Sequence, residues 1–343
     1  MHRSGDTSMQ KATLIDSTLR DGGYEVNFSF TPAEVATICQ KLEEAGVRFI
    51  EIGRGVAMGA GGYRKDDSNA DEEYMDAATS VLKKAKFGMF FFPGISTLDH
   101  IARAAKHKIG FIRVGTDVTE IHLSEPYIKK AKEYGIFVTA NFMKSYALDP
   151  RDLAKQVQLS EKFGADVVYL VDSAGGMFPD DIARYYTAIR KISQIKLGFH
   201  GHDNLGFGVA NSISAVELGF EFVDATLQGL GRSGGNACIE ILVAAFEKKG
   251  YNTGVDFLKL LEIGETYIKP KMTRCGRDRL DVVAGFAKFH SLFTPLVLKY
   301  AEKYAVDPAT LMIEVSKKDL VNVLESDLEE IAKDMCAHRR ANI

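Results

Sequence analysis

Short, almost continuously apolar runs alternate with longer amphipathic segments from about residue 12 to about residue 250. The apolar runs are typical of strands that are buried on both faces. The amphipathic segments are long enough to cross from one parallel strand to the next as helices. We therefore predict eight strands, at residues 12–16, 48–53, 86–92, 110–115, 135–142, 165–172, 195–200 and 221–227.

The ends of the amphipathic segments carry helix-boundary signals. Thr31, Pro32 and Glu34 have the order of a capping box with proline in the first turn. Glycines in EEAGVRFIEIG, KFGADVVYL and ELGFEFVD can each end a helix in a left-handed conformation. Eight strand–helix units favour a closed (β/α)8 TIM barrel. A doubly wound open sheet is the alternative, but it usually carries a Gly-rich fingerprint where this chain has LRDGGYE.

The strand pattern stops after about residue 253. Beyond it, FTPLVLKYAEKYA and DLVNVLESDLEEIAKDM indicate amphipathic helices. We predict an α/β protein with a flexible N-terminus at 1–11, a TIM-barrel catalytic domain at 12–252 and a helical C-terminal subdomain at 253–343.

Composition narrows the classes of function. Hydrophobic residues make up 46% of the chain and charged residues 26%, which is ordinary for a globular protein. The net charge of −3 and the lack of a dense basic run argue against nucleic acid as a partner. Without a signal segment or a run of ~18 apolar residues, we expect a cytoplasmic protein that does not bind membranes. The scattered cysteines are expected to be free thiols: Cys39, Cys238, Cys275 and Cys336.

Catalytic groups of a barrel cluster at the C-terminal ends of its strands. Polar stretches follow the first, sixth, seventh and eighth predicted strands: DSTLRDGG, DSAGG, HGHDN and QGLGRSGGN. His200 and His202 are two residues apart on an extended segment, so both imidazoles can point into the barrel mouth. With Asp21 they would form a ligand set for Mn²⁺, Mg²⁺, Zn²⁺ or Fe²⁺. A hydrogen-bonded pair of structural histidines is the alternative, which the location disfavours.

Two more residues at the strand ends suggest substrate contacts. Arg20 would place a permanent positive charge beside the metal, where negative charge develops on an enolate oxygen. The alternative is that Arg20 only forms a salt bridge across the barrel mouth. Ser173 and the N–H groups of the following GGM turn could bind a carboxylate. A plain strand-to-helix turn is the alternative for that segment.

These stretches together resemble the metal-dependent barrel superfamily of 3-hydroxy-3-methylglutaryl-CoA lyase, isopropylmalate synthase and the 4-hydroxy-2-oxoacid aldolases, and most closely the 4-hydroxy-2-oxovalerate aldolase family. The likeness spans residues 12–335, through DSTLRDG, VRFIEIGRG, FFPGISTLDH, YLVDSAGGM, FHGHDNLGFGVANS, GLGRSGGNACIE and the tail. It implies Mn²⁺ or Mg²⁺ on Asp21, His200 and His202, with Asn236 a further candidate ligand. It also implies that Arg20 stabilises a pyruvate enolate and that Ser173 holds the pyruvate carboxylate.

The chain departs from the aldolase pattern at four places. Tyr24 stands where the family has a histidine two residues after the RDG turn, and His290 stands in KFHSLF near a family tyrosine. We hypothesise that His290 and Tyr24 share the proton transfer with reversed roles, the alternative being a packed histidine and a surface tyrosine. Phe90, Phe91 and Phe92 replace leucines of the aldehyde pocket, so Phe90 and Phe92 are expected to change which aldehyde fits. EIGRGVAM, where the family tends to have a histidine and an aspartate, also departs.

The expected reaction is the retro-aldol cleavage of a 4-hydroxy-2-oxoacid to pyruvate and an aldehyde. Three alternatives stay open: an acyl-CoA lyase or Claisen-type synthase, a Schiff-base aldolase that uses Lys144 after the fifth strand, and a non-catalytic metal-binding subunit of an aldehyde dehydrogenase. The tail resembles the region through which the aldolases pair with an acylating aldehyde dehydrogenase, so we expect such a partner or a homodimer.

Overall fold

Eight parallel strands close into a barrel, in which each strand pairs with its neighbour in the chain and the last pairs with the first. The structure is a computed structural model that describes residues 12–60, 70–274 and 276–341. The predicted TIM barrel is confirmed. The strands are β1 (Thr13–Leu19), β2 (Phe49–Ile52), β3 (Lys86–Phe91), β4 (Phe111–Asp117), β5 (Phe137–Met143), β6 (Val167–Asp172), β7 (Lys196–Gly201) and β8 (Phe222–Ala225).

Eight helices surround the barrel and five more follow in the described part of the chain. The first eight are α1 (Pro32–Glu44), α2 (Ala70–Val81), α3 (Leu98–Lys106), α4 (Glu125–Glu133), α5 (Pro150–Phe163), α6 (Pro179–Arg190), α7 (Gly208–Leu218) and α8 (Ile239–Lys248). The later ones are α9 (Phe257–Ile263), α10 (Arg279–Ala287), α11 (Thr294–Tyr304), α12 (Pro308–Ser316) and α13 (Glu325–Ala341). Short 3-10 turns occupy Gly22–Tyr24, Ile121–Ser124, Ser145–Ala147, Leu227–Gly229, Lys269–Lys271 and Ser291–Phe293, and a π-helical turn occupies Gly264–Ile268.

The predicted helix boundaries follow the expected local chemistry. Thr31 and Glu34 form the capping box at the start of α1, with proline in the first turn. Gly46, Gly164 and Gly219 have φ values of 104°, 100° and 112°, which residues with a Cβ rarely adopt. These glycines therefore end α1, α5 and α7 as predicted.

Strand β1 continues three residues beyond its predicted end at residue 16, as far as Leu19. Two of the added residues, Ser17 and Thr18, are polar, but they make hydrogen bonds inside the barrel. The backbone and hydroxyl of Thr18 donate to the Asp16 carboxylate, at 3.1 and 2.8 Å. Burial raises the pKa of Asp16 to about 7, although its bonds with Thr18 oppose that shift. The longer strand brings Arg20 and Asp21 to the mouth.

Large rings fill the barrel interior beside glycines of neighbouring strands. A Cβ on Gly88 of β3 would overlap the ring of Phe111 on β4, and a Cβ on Gly115 of β4 would overlap that of Phe90. At the opposite end from the mouth, the Phe49 ring lies 5.5 Å from the Phe111 ring and 6.0 Å from the Phe222 ring, centre to centre. The glycines thus allow aromatic side chains to span the barrel.

The C-terminal region has its own hydrophobic core, which α9 does not join. Leu260, Ile263 and Ile268 pack with the barrel, whereas a second cluster is formed by α10 to α13. The helix predicted over 319–335 begins only at Glu325. Asp319 explains this difference, because its carboxylate accepts the N–H groups of Val321 and Asn322 and holds a turn there. The predicted flexible segment 1–11 lies outside the described residues.

Within the ranges that the structure describes, no helix is long and apolar enough to span a membrane. Cys39, Cys238 and Cys336 are free thiols, as predicted. Cys275 lies outside the described residues.

Gly88→Ala is expected to destabilise the barrel by about 1–3 kcal/mol, because the added methyl group would collide with the packed Phe111 ring. The free energy of unfolding from urea titration measures this cost. Adding Phe111→Leu should make the second substitution less harmful than it is alone. Strictly additive costs in the double variant would contradict the proposed overlap.

Candidate active site and metal centre

Three predicted ligands meet at the C-terminal end of the barrel. Asp21 follows β1, His200 lies near the end of β7 and His202 comes directly after it. One ligand atom from each side chain lies within 4.8 Å of the others, and all three residues are buried. Nε2 of His200 is 3.8 Å from Oδ2 of Asp21. The structure therefore brings together the set inferred from the HGH and LRDG segments.

Each histidine is oriented through its Nδ1 atom. Nδ1 of His200 donates to Oδ2 of Asp224 at 2.9 Å, and Nδ1 of His202 donates to the carbonyl of Gly235 at 3.1 Å. Because both acceptors lack protons, each Nδ1 carries a proton, and Nε2 is the nitrogen of each ring that can bind a metal. Histidine ligands of metals are usually held in this way. The donor set thus fits a divalent cation.

Asn236 supports Asp21 and offers one more oxygen. Its Nδ2 donates to Oδ2 of Asp21 at 2.8 Å and to the carbonyl of Leu230 at 3.0 Å. Its buried Oδ1 has no hydrogen-bond partner among the described residues. An unpaired amide oxygen beside Asp21 is also what a cation site would use.

The protonation states suit metal binding. Burial opposes ionisation of Asp21, but the positive charge beside it, above all that of Arg20, outweighs burial and holds its pKa well below the usual range. Burial, together with the charge of Arg232, lowers the pKa of His202 well below its ordinary value. A carboxylate and a neutral imidazole are the forms in which these side chains bind metals.

Arg20 is held from two sides. NH1 donates to Asp21 at 2.7 Å, while Nε and NH2 donate to the Glu51 carboxylate at 3.0 and 3.2 Å. Its guanidinium carbon lies 4.6 Å from the centre of the Phe90 ring. Both roles that the sequence suggested for Arg20 remain compatible with this geometry, since the salt bridges orient the group beside the metal ligands.

Sequence reasoning missed three buried charges behind the site. Glu51 on β2 accepts from Arg113 at 2.8 Å, and Arg113 on β4 also pairs with Asp224 on β8. Asp224 in turn orients His200. The signal was present, because each of these residues is a charge inside an apolar run: RFIEIG, GFIRVG and EFVDATL.

A cavity of about 390 Å³ opens at the barrel mouth. Of the predicted site residues, all but Asn236 line it, and so does Lys144. Phe90, Phe92 and Ile95 form part of an apolar wall, to which the C-terminal region adds Leu292 and Phe293. A larger open groove of about 790 Å³ lies on the outer surface between α5 and α6, away from the strand ends.

The GGM part of the predicted carboxylate site is wrong. The backbone N–H groups of Gly176 and Met177 donate to the carboxylate of Asp172, at 3.1 and 2.9 Å, so they are not free to bind a ligand. Ser173 lines the cavity, and its Oγ accepts the N–H of Lys144 at 2.9 Å. Of the groups predicted to bind a carboxylate, the Ser173 hydroxyl is the one that lines the cavity.

Lys144 is engaged by two oxygen atoms. Its Nζ donates to Oδ2 of Asp117 at 3.0 Å and to the carbonyl of Val321 at 2.6 Å. A Schiff-base nucleophile must direct Nζ at the substrate carbonyl, whereas these bonds hold Nζ between Asp117 and Val321. The geometry therefore disfavours the Lys144 alternative.

Tyr24 and His290 both line the cavity, and Arg232 lies between them. NH1 of Arg232 is 3.5 Å from Nδ1 of His290, and its guanidinium carbon is 5.9 Å from the centre of the Tyr24 ring. Burial and the charge of Arg232 lower the pKa of His290 well below its ordinary value. Burial raises the pKa of Tyr24. Near neutrality the imidazole is thus an acceptor and the phenol a donor.

Comparison with known proteins gives one family. The HMGL-like family model matches residues 11–266. A 4-hydroxy-2-oxovalerate aldolase of Carboxydothermus hydrogenoformans is 38% identical over 328 residues, which cover 95% of this chain and 98% of that protein. A 4-hydroxy-2-oxovalerate aldolase of Moorella thermoacetica is 34% identical over 98% of this chain and 100% of its own. The HMG-CoA lyase of Bacillus subtilis shares the fold, with a TM-score of 0.66 at 20% identity over 80% of this chain and 98% of that one.

Asp224→Asn should weaken binding of Mn²⁺ about 10–100-fold, because the amide no longer accepts strongly from His200 and leaves Arg113 underpaired. Titration calorimetry of the metal-stripped protein measures the affinity. Asp166→Asn serves as the control, since Asp166 bonds Lys132 and the Val138 backbone rather than a histidine. Equal Mn²⁺ affinity in the two variants would contradict the role given to Asp224.

Proposed function

We propose that this chain is a divalent-metal-dependent carbon–carbon lyase that cleaves a 4-hydroxy-2-oxoacid to pyruvate and an aldehyde. The chain belongs to the 4-hydroxy-2-oxovalerate aldolase branch of the HMGL-like family. The main support is the group of Asp21, His200 and His202 beside the Arg20 guanidinium. The names of the curated relatives supply the class of substrate.

Asp21, His200 and His202 would hold the cation, with Asn236 near enough to Asp21 to assist. When bound, a divalent metal would polarise the 2-oxo group of the substrate. We propose Mn²⁺ or Mg²⁺, because the site combines imidazole with oxygen donors and its ligand group contains no thiolate.

Arg20 would stabilise the negative oxygen of the pyruvate enolate. Its bonds to Glu51 and Asp21 hold the guanidinium before the charge develops, which is the condition for efficient electrostatic stabilisation. The Ser173 hydroxyl would bind the pyruvate carboxylate. The rings of Phe90 and Phe92 would limit the size of the aldehyde.

His290 would accept the proton of the C4 hydroxyl at Nδ1. This atom accepts a long hydrogen bond from the backbone N–H of Leu292 at 3.3 Å and lies 3.5 Å from Arg232, so the substrate hydroxyl would have to displace these two weak contacts. Tyr24 keeps its proton and would donate a hydrogen bond to the departing aldehyde oxygen. The C3–C4 electron pair stays on C3, and protonation there completes pyruvate.

The C-terminal region is proposed to contact either an acylating aldehyde dehydrogenase or a second copy of this chain. Support comes from α10, where Val282 and Phe286 lie four residues apart and have exposed fractions of 46% and 70%. Residues at this spacing share one helix face. This apolar face could pack against either of the two proposed partners.

Removal of the metal should abolish pyruvate release from 4-hydroxy-2-oxovalerate, and added Mn²⁺ or Mg²⁺ should restore it, because the 2-oxo group then regains its electrophilic partner. A lactate-dehydrogenase-coupled assay of chelator-treated protein measures the release. Cleavage that does not depend on metal, together with borohydride trapping at Lys144, would overturn the proposal. Release of CoA thiol from an acyl-CoA instead of pyruvate would indicate the lyase alternative.

His290→Asn should lower turnover about 10²–10⁴-fold if His290 is the general base. The base works unprotonated, so wild-type turnover should be level near pH 7 and fall only in acid, below the ordinary histidine pKa, because the pKa of His290 is lowered. The variant should lose that acidic fall in its pH profile. His122→Asn, at an exposed histidine, is the control. Unchanged turnover and an unchanged profile in His290→Asn would rule His290 out.

A further inference from the structure

Arg232 differs from the other cationic side chains that line the cavity, because no described carboxylate pairs with it. Its NH2 donates to Nε2 of His202 at 3.1 Å and its NH1 donates to Oγ of Ser291 at 2.8 Å. The remaining contact is the one with His290. The other three cations each have a carboxylate: Arg20 pairs with Asp21 and Glu51, Arg113 with Glu51 and Asp224, and Lys144 with Asp117.

A half-buried guanidinium whose hydrogen-bond partners are all neutral is unfavourable, because they compensate only partly for the water that the charge has lost. Arginine cannot avoid this desolvation cost by losing its proton. One of its present acceptors is also temporary. Nε2 of His202 is the atom that the proposed metal site needs, so Arg232 would lose this hydrogen bond in the working enzyme. A carboxylate entering the cavity would supply the missing acceptor, and guanidinium groups bind carboxylates in a two-pronged geometry.

The position of Arg232 indicates which end of the substrate carries that carboxylate. Arg232 follows β8 and contacts Tyr24 and His290, the two residues that the proposed function places at C4. Ser173, the proposed ligand of the pyruvate carboxylate, follows β6 instead. The two ends of the substrate would therefore meet different strands of the barrel.

We propose that Arg232 binds a second carboxylate on the aldehyde half of the substrate, so that the protein prefers short 4-hydroxy-2-oxo dicarboxylates to the corresponding alkyl compounds. This inference rests on the proposed function. The wall formed by Phe90 and Phe92 favours a short aldehyde. For 4-hydroxy-2-oxoglutarate, the C4 hydroxyl gives its proton to the base, the C3–C4 bond breaks, C3 takes a proton, and the products are pyruvate and glyoxylate.

Binding of uncleavable ligands tests the inference without turnover. 2-Oxoglutarate and 2-oxopentanoate have the same chain length and differ by a carboxylate in place of the terminal methyl group. Titration calorimetry of the Mn²⁺-loaded protein should give at least ten-fold tighter binding of 2-oxoglutarate. Arg232→Gln should reduce this preference to below two-fold, and Arg232→Lys should keep part of it. Arg279→Gln, which removes an exposed guanidinium paired with Asp307, should leave it unchanged.

Turnover gives the second test. The ratio of kcat/KM for 4-hydroxy-2-oxoglutarate over 4-hydroxy-2-oxovalerate should exceed ten in the wild type and approach one in Arg232→Gln. Equal ligand affinities in the wild type, or an Arg232→Gln variant that keeps the preference, would overturn the role of Arg232. If the binding preference is present but neither compound is cleaved, the aldolase function fails while dicarboxylate recognition stands. Cleavage without a preference overturns only the present inference.

Discussion

The site depends on a closed circuit of buried side chains beneath the barrel mouth, formed by five carboxylate and guanidinium groups together with the imidazole of His200. Each member contacts the next, in the order Asp21, Arg20, Glu51, Arg113, Asp224, His200 and back to Asp21. An unpaired charge in the barrel interior would destabilise the fold by several kcal/mol. A member that rotated away would leave the buried charge of its neighbour unpaired, so each side chain is held in place. The circuit joins β2, β4, β7 and β8 to the segment after β1, and thus sets the positions of Arg20 and of two proposed metal ligands, Asp21 and His200, before any substrate arrives.

The part of the C-terminal region from α10 to α13 completes the cavity through polar contacts rather than a shared apolar core. Its hydrophobic cluster is separate from that of the barrel. Contacts between the two parts include the bond of Lys144 with the Val321 carbonyl, that of Asn204 with the Asp281 carbonyl and that of Arg232 with Ser291. Such hydrogen bonds are directional, so they position His290 over the mouth while hydrophobic packing within α10 to α13 supplies the stability of that region.

The barrel, and the grouping of Asp21, His200 and His202 at its mouth, could be predicted because their signals are local. Apolar runs identify strands, and the HGH and LRDG segments stand at strand ends. Glu51, Arg113 and Asp224 were missed because a charge in an apolar run does not reveal its partner, and Arg113 meets Asp224 across 111 residues of chain. The GGM turn was misjudged although its acceptor is close in sequence, because the Asp172 carboxylate could have pointed elsewhere but in the fold accepts those N–H groups. The local sequence identifies the groups that can donate hydrogen bonds or carry charge, but the fold determines which partners lie within reach of them.

The exchange of histidine and tyrosine agrees with the charges around each position. On the C-terminal side, a protonated imidazole would lie beside Arg232, so repulsion and burial keep His290 neutral and able to accept a proton. On the β1 side, burial keeps the Tyr24 phenol protonated, so it can donate. A carboxylate bound by Arg232 would partly neutralise the cation and favour the imidazolium that forms when the C4 hydroxyl loses its proton. The charge of the substrate and the strength of the base would then be coupled through the guanidinium of Arg232. This coupling relates the exchange of histidine and tyrosine to a single electrostatic cause.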